Sequence, residues 1–391
     1  MTRRPSLLVL ISTLTLFVSC SGADTTIGTP QVSPGASSND SLPGDSVPPN
    51  LDVHAGEPFP SERCAANRAA GTIRYLSGYD FTASASIVDV LVAASKGYYK
   101  DLCLDVDLNA SFSVDNYPQI AANDAQFSSG GSFSEIVDFA GANDAGFVAL
   151  AVEGRTGIDT LITKKGAVPT LADIRGKKIG VKGAITPSVR AMLAKAGLVL
   201  DVDYETVLLD GFDPLVHIEV PDIVGFPGYK SNEPGQLEAN GVPFDLYDPS
   251  AYDIPGSFGV LYTNLTFLQE HPTAAQDFMR ATMRGLADAI ADPQAAAQIA
   301  VDAINANGNA IFLTPEGEQA RWAVESALVA EGVTPDAPLG LPLYDELLNE
   351  VTVYAETGLF GGEVPVIDTL LDDSVLEGIY DETGTLIWPS G

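Results

Sequence analysis

The chain has 391 residues, 46% of them hydrophobic, with 52 acidic against 20 basic residues and a formal net charge of −32. That field repels nucleic acid and anionic lipid, so nucleic-acid binding is excluded as a role. The hydrophobic content excludes a wholly disordered chain, and the roughly 330 residues beyond the amino-terminal region are enough for two domains.

The chain opens MTRRPSLLVLISTLTLFVSC. Arg3 and Arg4 precede an apolar run, Pro5 to Val18, too short for a comfortable membrane span but suited to a signal peptide over residues 1–19. Phe17-Val18-Ser19-Cys20 resembles a bacterial lipobox, with Phe17 in place of the usual leucine. The expectation is that Cys20 is lipidated and anchors the protein to the extracytoplasmic side of the cell membrane without spanning it; the alternative is a secreted protein with a chance cysteine. Residues 20–70 then read as lipidated cysteine plus flexible tether. Ser21 to Ser61 is rich in Ser, Pro and Gly and has almost no apolar periodicity. A coil of about 40 residues spans on average about 35 Å. Cys64 and Cys103 are left as an even pair in an oxidising compartment, which favours a disulfide over two buried free thiols.

In chain order, Thr72 to Leu76 reads as a buried strand, Ile87 to Ser95 as a helix and Leu104 to Leu108 as a second strand. Strand, helix and strand within about 40 residues form a βαβ unit and imply a parallel sheet. DAQFSSGGSFSEIVDFA supplies a third strand, a turn and a helix, and GFVALAVE and DTLITKKG continue the strands. A second cycle follows. Leu171 to Ile174 is a helical turn, Lys178 to Val181 a strand, and Pro187 to Ala196 a helix with Thr186 as N-cap and Pro187 at its first position. TVLLD, DIVGF and FGVLYTN read as strands. From His271 onward the pattern is helical, with further amphipathic segments near Glu316 to Ala330, Tyr344 to Glu356 and Val366 to Tyr380.

ASKGYYKDLCLDVDL, LADIRGKKIGVKG and YTNLTFLQEHPTAAQDFMRATMRGL together resemble the solute-binding proteins of ABC transporters. The branch is the one serving nitrate, sulfonates, taurine, thiamine pyrimidine precursors and riboflavin. The resemblance covers about Thr72 to Asn305. It implies an α/β, two-lobed periplasmic-binding-protein fold of type II, a ligand cleft between the lobes, a helical C-terminal region and a membrane permease as partner. Lobe one would span residues 71–162, lobe two 163–260, and the return of lobe one with its helices 261–391. The hinge crossings are expected near Thr160 to Lys165 and Phe258 to Asn264. Where the family usually has glycine before its second strand this chain has Cys103, which strengthens the disulfide expectation.

In open α/β sheets ligands sit beyond the carboxyl ends of the strands. Four loops qualify, and they nominate Tyr79, Asp80, Phe81 and Ser84; Phe127, Gly131, Ser132 and Phe133; Thr186; and Phe226, Tyr229, Asn232 and Glu233. Each could instead be a plain turn or cap. Their aromatic faces suit a flat heterocycle, and Asp80, Asn232 and Glu233 offer acceptors to its polar edge. Lys182 and Lys230 are the only cations in these loops, and burying an anion beside two carboxylates is costly. Within the resemblance this points to riboflavin first and a thiamine pyrimidine precursor next, with sulfonate, taurine or nitrate as the alternative. Pyrimidine-precursor binders carry a comparable Tyr-x-x-Asn-Glu segment, but YDFTASAS stands where they have a proline-asparagine-histidine run. Yeast-type pyrimidine synthases share the fold, yet they rely on a cysteine-rich segment and histidines; here only His54, His217 and His271 exist. GGSFS is no nucleophile elbow, GKKIGVKG no phosphate loop, and no His/Cys metal spacing is present, so no enzyme, cofactor or metal is expected.

Overall fold

The computed structural model describes residues 51–307 and 313–390. The expected signal peptide, Cys20 and the first part of the tether lie outside the described residues. The last part of the expected tether does not stay extended. Ser61–Ala69 is a helix (α1), although its apolar pattern is weak. It is held by polar contacts: Arg63 Nε donates to Asp277 at 2.6 Å, its Nη1 reaches the Leu51 carbonyl, and Asn67 donates to Asp277 and to the Leu102 carbonyl. A disulfide joins Cys64 of this helix to Cys103. Cys103 has φ +60°, a left-handed conformation that glycine adopts at less cost.

Lobe one continues with β1 (Thr72–Leu76), α2 (Val88–Lys96), α3 (Tyr98–Asp101), β2 (Asp105–Asn109), α4 (Ser113–Ala121), β3 (Phe127–Gly130), α5 (Phe133–Asn143) and β4 (Phe147–Gly154). Lobe two holds β5 (Asp159–Lys164), β6 (Lys178–Val181), α6 (Pro187–Lys195), β7 (Glu205–Leu208), α7 (Pro214–Glu219), β8 (Gly225–Tyr229), α8 (Glu233–Ala239) and β9 (Phe244–Tyr247). The chain returns through β10 (Phe258–Asn264) into α9 (Leu265–Glu270), α10 (Pro272–Ala291), α11 (Pro293–Asn307), α12 (Pro315–Ala330), α13 (Tyr344–Glu356) and α14 (Ser374–Glu377).

The two sheets repeat one plan, β2-β1-β3-β10-β4 and β7-β6-β8-β5-β9. In each, four strands run in one direction and one strand enters antiparallel between its neighbours: β10 between β3 and β4, β5 between β8 and β9. These two strands are the ones expected to carry the hinge. They are buried sheet strands, and the crossings lie just before them, in residues 155–158 and 248–257. α10 is apolar along one stripe and covers sheet one, with Phe278, Met279, Met283 and Leu286 buried. The expected helix over Val366 to Tyr380 shrinks to α14: residues 368–370 form a turn, Leu371 bridges to Ala149 of β4, and the Ser374 N–H that opens the helix donates to Asp372. The C-terminal region also does not belong to lobe one alone. Glu350 of α13 accepts the Ser134 N–H of lobe one, while Tyr354, one turn on, packs into the lobe-two core with Leu161 and Val189 and donates to the Pro255 carbonyl.

Candidate functional site

A cavity of about 1700 Å³ lies between the lobes. Of the nominated residues, Tyr79, Gly131, Thr186, Tyr229, Asn232 and Glu233 line it. The others do not. Phe81, Phe127 and Phe133 are core side chains of lobe one, and Phe127 stacks on Phe278 at 3.9 Å between centroids. Phe226 is in the lobe-two core against the edge of His217. The reason is the pleat. GFPGY is strand β8 rather than a loop, so side chains alternate and Phe226 takes the inner face. Asp80 is buried with φ +45° and accepts its neighbour's N–H. Ser84 donates to Glu325. Ser132 is the N-cap of α5, accepting from Glu135 N. Thr186 occupies the N-cap position of α6 but makes no capping bond; its Oγ1 is buried without a hydrogen-bond partner at the cavity wall.

Three aromatic rings gather at one side of the cavity. Phe112, just after β2, and Phe212, just after β7, lie parallel within 8° with centroids 6.2 Å apart. Tyr79, just after β1, meets both edge-on at 5.6 and 5.3 Å. Phe112 belongs to lobe one and Phe212 to lobe two, so their contact joins the two lobes. Both follow parallel strands, and the carboxyl-end rule finds them if it is also applied to β2 and β7; the sequence reading applied it elsewhere. Burial, the main cause, and nearby Glu233 push the Tyr79 hydroxyl up to about 12, while Arg321 opposes them.

Lys182 Nζ stands over the Phe212 ring, 5.0 Å from its centre, and donates to Glu233 Oε1 at 3.0 Å. Glu233 Oε2 accepts the Tyr229 N–H at 2.8 Å. Burial pushes this carboxyl up, but Lys182 and the Tyr229 N–H more than offset it and hold Glu233 below the usual range. Asn232 accepts from Arg321 Nη2 at 2.8 Å. Arg321, on α12, lines the cavity and was missed by the sequence reading; only the tertiary fold brings α12 to α8. The far wall is formed by Glu135, Asp138 and Phe139 of α5, Arg190 of α6 and the segment 358–366. Burial, with Asp159 and Glu350 nearby, pushes Glu135 up to about 7.

Among the histidines, His217 is a core residue bonded to the Asp210 carbonyl, His271 starts α10 and His54 is exposed. Among the described residues no group of three or more His, Cys, Asp or Glu is placed to hold a metal ion.

The family model described as NMT1/THI5 like matches residues 84–296, more than half of the chain. The chain belongs to the NMT1/THI5-like family. A similar curated protein is the riboflavin-binding protein RibY of Chloroflexus aurantiacus, 28% identical over 228 residues, covering 54% of this chain and 61% of that one. The chain thus spans less than two thirds of the length of the curated relative it matches. Solved structures share the fold. The ligand-binding component of an ABC-type import system from Staphylococcus aureus, solved with zinc bound, is 12% identical with a TM-score of 0.57, covering 78% of this chain and 98% of that one. A putative sulfonate ABC transporter's periplasmic sulfonate-binding protein SsuA from Methylobacillus flagellatus is 16% identical with a TM-score of 0.55, covering 78% and 92%. The NMT1/THI5-like chain therefore has the periplasmic-binding-protein fold that its sequence resembles.

Proposed function

We propose that this protein is the extracytoplasmic substrate-binding component of an ABC importer, held at the cell membrane through Cys20, that captures a flat aromatic heterocycle and delivers it to a permease. Riboflavin is the favoured ligand and a thiamine pyrimidine precursor the next. The observation that carries the reading is the parallel pair of Phe112 and Phe212 on opposite lobes. A ring between them needs a van der Waals gap of about 3.5 Å on each side, about 7 Å in all. The 6.2 Å between centroids is the largest spacing the two planes can have, so the lobes must part to admit one flat ring, and its contact with both lobes then favours closure. Lys182, Glu233 and Tyr79 supply polar groups at the ring's edge. The similarity to a riboflavin-binding protein supports the same ligand class.

An anion reading has one observation in its favour: Lys182, Arg190 and Arg321 line the cavity. Each is already engaged, by Glu233, the Gly358 carbonyl and Asn232 with Glu318 respectively. Glu135, Asp138, Asp210, Glu233 and Glu363 line the same space, so a free anion would enter a net acidic cleft.

Titrating riboflavin, a thiamine pyrimidine and taurine into wild type, Phe212→Ala, Tyr229→Ala and Glu233→Gln tests the reading. Flavin fluorescence should quench on stacking, and Phe212→Ala should weaken flavin binding about 10- to 100-fold, the cost of truncating a packed anchor. Tight taurine binding that improves in Glu233→Gln would replace the heterocycle by an anion. Flavin binding unchanged in Phe212→Ala would remove the clamp.

A further inference from the structure

The turn that leads into α2 presents backbone N–H groups, and three of them are taken by glutamates from distant elements. Ala83 N donates to Glu318 Oε2 at 2.6 Å, Ala85 N to Glu325 Oε2 at 2.7 Å and Ser86 N to Glu153 Oε2 at 2.9 Å. Ser84 Oγ adds a bond of 2.7 Å to Glu325 Oε2. Glu318, Arg321 and Glu325 are spaced by three and four residues on α12, so they form one stripe on one helix face. All three are buried. The stripe also reaches the other lobe. Ser231 Oγ donates to Glu325 Oε1 at 2.7 Å, and Arg321 Nη2 donates to Asn232 at 2.8 Å.

Clustered backbone N–H donors at the start of a helix are a ready receptor for an anion, and charge-assisted bonds to a carboxylate are among the stronger hydrogen bonds. Here the receptor is filled from within the chain. The cavity wall includes Gly78 and Tyr79 but not residues 80–86.

We propose that Glu318 and Glu325 are resident carboxylates beside this cleft: they occupy the Ala83 and Ala85 N–H donors of the 83–86 turn, keep anionic ligands from them, and through the Glu325–Ser231 bond make that occupancy part of lobe closure. The inference rests on reading the space between the lobes as the ligand cleft. It makes Glu325 a specificity-determining and positioning residue, whatever heterocycle the clamp takes. Removing its carboxylate leaves the buried Ala85 N–H and the Ser84 and Ser231 hydroxyls without their acceptor, which is costly, and opens a space for a small planar anion.

The test needs no heterocycle, so its failure is separate from a failure of the flavin reading. Wild type, Glu325→Ala and Glu325→Gln are compared in sodium chloride with rising sodium acetate or sodium nitrate at constant ionic strength. The readouts are the thermal unfolding midpoint and the radius of gyration from small-angle scattering. Wild type should be flat. Glu325→Ala should unfold several degrees lower and be more open in chloride, and acetate or nitrate should restore both values with saturation. Glu325→Gln keeps an acceptor oxygen and should respond little. An anion response in Glu325→Ala no larger than in wild type would overturn the proposal, as would an equal response in Glu325→Gln. If Glu325→Ala folds only when acetate is present, the proposal stands. If it folds in neither salt, Glu318→Ala, which frees the single Ala83 donor, carries the same measurement, and its indifference to both anions would overturn the proposal.

Discussion

On the lobe-two wall Glu233 is buried, takes Lys182 at 3.0 Å and the Tyr229 N–H at 2.8 Å, and is held below the usual carboxylate range. On the lobe-one wall Glu135 faces the same cavity, but among the described residues no basic side chain forms an ion pair with it. It stands near Asp159 and Glu350 and is pushed up to about 7 by burial first and those charges second. A cavity lined by carboxylates is thus not uniformly charged. Pairing decides which wall is a fixed anion and which can carry a proton at neutral pH.

The strongest way to break the contrast is to remove the cation. Lys182→Met leaves Glu233 buried without its partner and should destabilise the protein by roughly 1–3 kcal/mol, read as a lower unfolding midpoint. The double variant Lys182→Met with Glu233→Gln should recover much of that loss in a double-mutant cycle; strictly additive costs would show that the pair is not coupled.

The neighbouring glycines offer a smaller and more geometric probe. A Cβ on Gly228 would lie 2.9 Å from Glu233 Oε2, and one on Gly131 would lie 2.4 Å from Glu135 Oε2. The closer contact should cost less, because the Glu135 carboxylate can swing into the cavity whereas Glu233 is pinned on both oxygens. Gly228→Ala is expected to cost about 1–3 kcal/mol by overpacking, and Gly131→Ala well under that. Equal unfolding midpoints for the two variants would contradict the difference in restraint.

The smallest effect is the pH dependence. A carboxyl raised from its ordinary value to about 7 binds its proton more tightly when folded, so its contribution to stability falls as pH rises toward and through 7. Wild type minus Glu135→Gln should therefore be close to constant below about pH 4.5 and decline between there and about pH 7, with Glu135→Gln the relatively more stable protein at pH 8. A difference that rises with pH over that interval would mean that Glu135 is held as an anion like Glu233.

Elements with a strong local signature were legible in the sequence. Thr72–Leu76, Lys178–Val181, Phe258–Asn264 and Tyr344–Glu356 stand where pattern and turn residues put them. So does α6, opened by proline. Helix α1 was not legible, because its anchor is the pairing of Arg63 with Asp277, 214 positions away, and no local periodicity records that. β9 and α4 were passed over as well, the latter a helix that carries Pro118 in its interior.

The sequence by itself determined the α/β class, the family and four of the loops at strand ends, because short-range periodicity and turn chemistry act on neighbours in the chain. It nominated Tyr79, Gly131, Thr186, Tyr229, Asn232 and Glu233, which line the cavity, but by the same rule also Asp80, Phe81, Ser84, Phe127, Ser132, Phe133 and Phe226, which do not. It did not determine which aromatic faces inward. Phe127 and Phe226 turn to the core because Phe278 and His217 wait there, and Phe112 and Phe212 meet across the two lobes. Nor did it bring Arg321 and Glu325 to a loop of the other lobe. Apart from His217, which is near Phe226 in the chain, those choices are made by packing between residues far apart along it, 89 positions for Arg321 and Asn232 and 94 for Glu325 and Ser231, where the spacing along the chain carries no information about distance in space.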